Sequence, residues 1–154
     1  MSKAFTRESD ESESFVLPVR VPLPPGVKNY ITPAGAQRLR DELASLVEHA
    51  SPEKNPSREA RIRQLQDIIA SLVIAEPPAE RDTVRFGATI RVQRPHETET
   101  YRLVGVDETD LDRNEISWLS PLGKVLLGKR ASDRVRFRTP AGPEELTILS
   151  VDYS

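Results

Sequence analysis

A chain of 154 residues has room for one domain, or for two small ones on a short connection. It is 37% hydrophobic and 30% charged with a formal net charge of −2, which fits a soluble protein with a modest core and argues against a strongly basic nucleic-acid-binding domain. Without cysteine there are no disulfides or thiolate metal sites, and His49 and His96 alone are too few for a zinc site, so no metal or cofactor is expected.

The N-terminus, MSKAFTRESDESESF, has no apolar h-region. No run approaches the roughly 18 apolar residues that a membrane span needs. The expected location is therefore the cytoplasm. Residues 1–28 read as a disordered tail. Ser and acidic residues crowd positions 8 to 14, and Pro18, Pro22, Pro24 and Pro25 favour extended chain. Such a segment buries too little apolar surface to offset its ordering entropy. A solubilising tail is the plain reading, and a weak acidic docking element is the other.

Order should begin near Tyr30. Thr32 is a good N-cap, and Pro33 stands at the first helical position, where its missing N–H costs nothing. Ala36, Leu39, Leu43, Leu46 and Ala50 step by three and four, which is a coiled-coil seam. Pro52, Asn55 and Pro56 make a turn. Periodicity resumes at Ile62, Leu65, Ile69 and Leu72 until Pro77-Pro78 stops it. Two helices of about 18 residues, about 25 to 27 Å long, should fold back as an antiparallel hairpin over residues 29–78. The seams read as hairpin core, with a dimer through exposed seam residues as the alternative; a monomer is expected.

From residue 79 to 154 the texture changes. Val84, Phe86, Ala88, Ile90 and Val92 alternate with Arg85, Gly87, Thr89 and Arg91, a half-buried strand. Strands follow at 101–106, after a turn at 94–97, and at 115–119, after a loop from Asp107 to Asn114. Ser120-Pro121 caps a short helix, 122–127, that Gly128 ends. Further strands fall at 135–138 and 145–153, around the turn Pro140–Pro143. The whole is α+β: a helical hairpin, then an antiparallel sheet with one short helix.

Four stretches in this order resemble the GreA/GreB family. Tyr30-Ile31-Thr32-Pro33-x-Gly35-x-x-x-Leu39-x-x-Glu42-Leu43-x-x-Leu46 is similar to the start of that family's coiled coil. Val84-x-Phe86-Gly87-Ala88-Thr89 is similar to the first strand of its C-terminal domain. Val104-Gly105-x-Asp107-Glu108-x-Asp110 is similar to the second strand and its loop. Ile116-Ser117-x-x-Ser120-Pro121-Leu122-Gly123-x-x-Leu126-Leu127-Gly128-Lys129 is the most specific match.

The resemblance implies an antiparallel coiled coil followed by an FKBP-like domain. It implies that the latter docks on bacterial RNA polymerase at the secondary-channel rim, through Ser120, Pro121, Leu122, Asp107, Glu108 and Asp110. Nucleic acid would be met only through the polymerase complex, with no membrane involved. In the family, acidic residues at the coiled-coil tip help hold a magnesium ion, so the factor is an auxiliary to the polymerase's active site and not itself an enzyme.

This sequence departs from the family at that tip. Nothing between Ala44 and Ile74 matches the acidic motif, and the arms are shorter. The tip here offers Glu53, Lys54, Asn55 and Glu59, and the neighbouring cations Lys54 and Arg58 oppose a metal ion. A carboxylate out of reach cannot assist. The expected function is a polymerase binder that modulates elongation without stimulating RNA cleavage. The alternatives are an active cleavage factor working through Glu53 or Glu59 and, on fold analogy alone, a prolyl isomerase.

Plainer readings stand beside these. Ser120-Pro121-Leu122 is also an ordinary capped helix start. Asp107, Glu108, Asp110, Asp112 and Glu115 lack the spacing of a calcium loop and read as a solvated loop, or one facing a basic polymerase helix. Trp118 reads as a contact between the two domains, or as an exposed anchor.

Overall fold

The computed structural model describes residues 20, 22–49 and 52–153. In chain order come β1 (Asn29–Ile31), α1 (Pro33–Glu48), α2 (Pro56–Ser71), β2 (Leu72–Ile74), β3 (Thr89–Gln93) and β4 (Thr98–Val104). A 3-10 turn (Leu111–Arg113) then precedes β5 (Glu115–Ser117), α3 (Pro121–Leu126), β6 (Arg134–Thr139) and β7 (Gly142–Asp152). The class is α+β, as the periodicities require.

The first long helix starts at its expected cap, and the second is capped by Asn55, a residue of the expected turn. The Thr32 side chain accepts from Gly35 N, with Pro33 in the first turn. The Asn55 side chain accepts from Arg58 N, with Pro56 in the first turn and Glu59 facing the helix dipole. Each helix has 16 residues, so each is about 24 Å long. The second ends before Pro77 because Leu72 turns extended, with ψ 139, and opens β2. β1 and β2 pair in parallel through Asn29↔Leu72, Tyr30↔Val73 and Ile31↔Ile74, tying the two ends of the hairpin together.

The hairpin core is Ile31, Ala36, Leu39, Leu65 and Ile68, flanked by Leu43, Leu46, Ile69 and Leu72. Ile31 and Leu65 have no exposure, and each contributes about 2 kcal/mol by leaving water. Ile68 lies outside the expected seam yet is buried, while the expected Ile62 is half-buried; Ala50 lies outside the described residues. Across the helices, Arg61 Nε and Nη2 donate to Glu42 Oε2 and Oε1 at 2.7 and 2.8 Å, a bidentate clamp.

The larger sheet has the order β5-β4-β3-β7-β6. It is mixed, which corrects the antiparallel expectation. β5 runs parallel to β4, with Arg102↔Glu115, Leu103↔Ile116 and Val104↔Ser117. The loop from 105 to 114 carries the chain back alongside β4 instead of reversing it in a tight turn. The strand expected from Val84 begins only at Thr89, because Gly87 takes φ +88 in a turn. The other neighbours are antiparallel.

One face of this sheet carries the second core. Val84, Ala88, Ile90, Val92, Tyr101, Leu103, Ile116, Val135 and Ile148 pack with Leu126 of α3. Gly128 follows α3 at φ +83, the left-handed stop its position predicts. No helix among the described residues is long and apolar enough to cross a membrane.

Candidate functional site

The base of the hairpin meets the sheet domain at a buried carboxylate. Glu108 is 7% exposed. Its Oε2 accepts from Thr32 N and Gly105 N, both at 2.8 Å, and its Oε1 accepts from Thr32 Oγ1 at 2.5 Å. Thr32 Oγ1 in turn accepts from Gly35 N at 3.0 Å. The carboxylate thus sits at the N-terminus of α1, where the helix dipole favours negative charge, with Arg38 Nη2 at 3.8 Å.

Two glycines make this approach possible. A Cβ on Gly35 would stand 2.0 Å from Glu108 Oε1, and one on Gly105 would stand 2.2 Å from the Tyr30 carbonyl oxygen. Glu108 belongs to the acidic loop expected to face a partner. The structure turns its side chain inward and engages both oxygens within the chain.

The other loop acids are also used locally. Asp107 receives Arg20 Nε and Nη2 at 2.7 and 2.9 Å, and Asn29 Nδ2 at 3.2 Å. The hydrogen bond to Asp107 raises the Arg20 pKa further above its ordinary value. Arg20 belongs to the stretch expected to be a tail, and here it is held; residues 1–19 lie outside the described residues. Asp110 caps the 3-10 turn, its Oδ1 accepting from Asp112 N at 3.1 Å. Glu115 is 4% exposed, with Arg113 Nε at 3.5 Å and Arg102 Nη1 at 3.9 Å. Among the described residues no three His, Asp or Glu side chains are placed to hold a metal ion.

Ser120-Pro121-Leu122 forms the start of α3. Ser120 Oγ accepts from Gly123 N at 3.1 Å and donates to the Ser117 carbonyl at 2.6 Å. Pro121 is exposed at the first turn, while Leu122 is half-buried against the sheet core. Capping and an exposed tip therefore coexist in one segment. Beside it a groove of about 610 Å³ runs between the domains. Ser117, Leu119, Ser120 and Lys124 line one wall, and Leu39 and Ile68 line the other.

Trp118 makes the expected contact between the domains. Its ring lies 5.4 Å from Tyr30 of β1 and 6.1 Å from Phe86, both near edge-on, and Tyr30 and Phe86 are 5.9 Å apart. Together with the carboxylate contacts of Glu108, this trio joins the base of the hairpin to the sheet domain. The sequence reading found Trp118 but not Tyr30 or Phe86 as its partners.

The expected tip residues lie at the other end of the hairpin, in and after the turn between α1 and α2. Asn55 is the α2 cap. Glu53, Lys54 and Glu59 are exposed, and Glu59 stands within the first turn of α2.

Residues 78–153 match the family model described as "Transcription elongation factor, GreA/GreB, C-term". A transcription elongation factor GreB of Neisseria meningitidis serogroup B is 40% identical, over 82% of this chain and 94% of its own length. A transcription elongation factor GreA of Rhodospirillum rubrum is 37% identical, over 68% of this chain and 69% of its own. The solved structure of a GreA/GreB elongation factor from Nitrosomonas europaea aligns with a TM-score of 0.45 and 26% identity, covering 82% of this chain and 100% of that one. The class so defined is that of the transcription elongation factors. Within it, the chain belongs to the GreA/GreB family.

Proposed function

We propose that this protein binds RNA polymerase near its secondary channel and modulates transcript elongation without stimulating RNA cleavage. The observation that carries this reading is the contrast between the two ends of the molecule. The segment that the family resemblance assigns to docking keeps its capped form, with Pro121 exposed. The tip offers Glu53 and Glu59 on opposite sides of the Asn55 cap, with Lys54 and Arg58 beside them. A divalent cation gains little from carboxylates accompanied by cations.

The reach of the arm supports the same reading. Each helix spans about 24 Å. The alignment with the Neisseria GreB runs over 154 positions and takes in 82% of this 154-residue chain, so under a fifth of its positions face gaps here. On this reading the docking contacts come from Ser120, Pro121 and Leu122, with Asp110 beside them. Asp107 and Glu108 act from within by holding the arm.

The test is RNA cleavage in stalled elongation complexes, with this protein alone and in competition with a cleavage-active GreB. The expected result is no shortening of RNA by this protein and a dose-dependent loss of the shortening produced by GreB. Shortening that disappears in Glu53→Ala or Glu59→Ala would establish the active-factor reading instead. Absence of any effect on GreB, with no capture by core polymerase at micromolar concentration, would remove polymerase docking.

A further inference from the structure

The face of the large sheet opposite its core is divided in two. Towards β5 it lies beneath the base of the hairpin. Val104 there is fully buried, Arg102 lines a cleft with Pro33 and Ala34, and Ser117 lines the groove with Leu39 and Ile68. Over β3, β7 and β6 it is open. The pairings Arg91↔Ser150, Gln93↔Thr147, Arg134↔Thr147, Arg136↔Glu145 and Arg138↔Pro143 place Arg91, Arg134, Arg136 and Arg138 on that open side, all exposed.

These four arginines form a track. Alternate positions set Arg134, Arg136 and Arg138 about 6.8 Å apart along β6. Gln93 and Arg134 both pair with Thr147, and Arg91 lies two residues from Gln93 on the side away from Arg136. From Arg138 to Arg91 is therefore three such steps along the strands, about 20 Å, and two strand spacings across, about 10 Å.

Acid is sparse along the track. Glu145 stands 3.9 Å from Arg134, but both side chains are more than half exposed, so the pair is weak. Asp152 ends β7. Among the described residues no carboxylate lies within 4.0 Å of Arg91, Arg136 or Arg138. Charges on an edge strand hinder pairing with another sheet, which accounts for β6. It does not account for Arg91 on β3, two strands further in.

The other side chains on this face narrow the choice of partner. Gln93, Thr98, Thr100 and Ser150 stand among the arginines. Amide and hydroxyl groups of this kind, together with arginine, contact phosphate oxygens. No aromatic ring is present at the paired positions, because Tyr101 and Phe137 alternate onto the core side. Single-stranded nucleic acid is held by stacking its bases on aromatic rings, and protein contacts draw on aromatic anchors. Pro143 and, in the bulge, Leu149 are exposed apolar residues here, six positions apart on one strand. Duplex DNA needs no stacking platform, since its bases stack on one another. It presents a phosphate every 3.4 Å or so along each strand, so a track of about 20 Å spans about six phosphates.

We propose that the open face of β3, β7 and β6 binds the phosphate backbone of double-stranded DNA, without regard to base sequence, through Arg91, Arg134, Arg136 and Arg138. The net charge of −2 keeps this contact weak and strongly dependent on salt. It requires no polymerase, so its failure would leave polymerase docking untouched.

The test is fluorescence anisotropy of a labelled DNA duplex of about 20 base pairs, titrated with the full chain at several salt concentrations. Four phosphate contacts predict a slope of about −3.6 for log K against log salt, which is about 150-fold in affinity between about 25 and 100 mM. R136Q/R138Q should halve that slope, so that the same change in salt costs about 12-fold. E145Q should bind the duplex more tightly than the native chain, because it removes the acid beside Arg134. The amide NMR spectrum of each variant checks that the fold is kept, and shifts on adding the duplex should gather on β3, β7 and β6. No binding at about 100 µM protein and low salt overturns the proposal, since non-specific contacts fall at or below that range. A slope unchanged in R91Q/R134Q/R136Q/R138Q, or shifts confined to the hairpin, overturns it too. Single-stranded RNA of equal length bound more tightly than the duplex would assign the face to unpaired nucleic acid. Polyglutamate bound as tightly as the duplex would assign it to an acidic protein. Either result is against duplex DNA.

Discussion

Glu108 and Thr32 stand 76 residues apart in sequence and share two hydrogen bonds, from Thr32 N at 2.8 Å and Thr32 Oγ1 at 2.5 Å. One carboxylate thus satisfies a helix N-terminus, through the cap residue, and the backbone of the Gly105 turn. The carboxylate ties the base of the hairpin to the sheet domain. Glu108→Ala leaves buried donors without an acceptor, and the expected loss is about 3 kcal/mol of folding stability. Glu108→Gln keeps the shape and one acceptor, and about 1 kcal/mol is expected. Urea unfolding of the two variants checks the order; equal losses would show that packing, not the hydrogen bonds, carries the junction.

Gly105 and Gly35 should tell contact with backbone from contact with a side chain. A methyl at Gly105 meets the Tyr30 carbonyl oxygen at 2.2 Å, and backbone cannot swing aside. Gly105→Ala is expected to cost about 2 kcal/mol or more. A methyl at Gly35 meets the Glu108 carboxylate, at 2.0 Å. The cost of Gly35→Ala should therefore fall once Glu108 is Ala. A double-mutant cycle for Gly35 and Glu108 should show a coupling of about 1 kcal/mol or more. Additive losses would contradict the geometry.

The parts of this fold that were legible in the sequence are the local ones. Thr32-Pro33, Ser120-Pro121 and Gly128 announce helix ends because capping chemistry acts over three or four residues, whereas Asn55-Pro56 reads as a turn and caps α2 as well. The three-residue pair β1–β2 has no period to detect. The parallel placement of β5 depends on the path of a loop. Glu108 looked like one more solvated acid, since its partner at Thr32 is remote in sequence. The signals that could have found it are Gly35, set in the first turn of a helix where alanine would serve better, and Gly105, directly after a strand. The alternation that includes Arg91 is visible within its own strand, whereas the place of that strand beside β7 follows only from the order β3-β7-β6.

The Arg61–Glu42 clamp offers a test of how the short hairpin stays closed. Arg61 is 12% exposed at its side chain and Glu42 is 40% exposed, so the pair is only partly shielded from water. A coupling of about 0.5 kcal/mol is expected from a cycle of Arg61→Met and Glu42→Gln, weakening at high salt. A larger value that ignores salt would mean that the arginine stem holds the helices by packing.

The far end of the sheet carries the clearest dependence on pH. Arg94 donates to Glu144 at 2.7 and 2.9 Å, and to Glu99 and the Tyr101 hydroxyl, both at 2.9 Å. The Tyr101 hydroxyl also donates to Glu99. Glu99 is held below the usual carboxylate range by Tyr101 first and by Arg94 as well, against the opposing effect of burial. Glu144 is held low by its hydrogen bond to Arg94. Burial, followed by the bond to Glu99, pushes Tyr101 up to about 12. Carboxylates that are more acidic folded than unfolded add stability fully present above about pH 4.3, the unfolded value. That stability is lost as pH falls through their lower folded values. Tyr101, raised in the fold, adds stability present below about pH 10 and lost as pH climbs through its folded value. In Arg94→Met both carboxylates lose a partner, and their depression should shrink. The melting temperature of the variant should therefore lie furthest below that of the native chain near neutral pH, with the gap closing below about pH 4. Melting curves of both proteins from pH 2 to 7 decide it, and a gap of constant size across that range would show that Arg94 acts by packing alone.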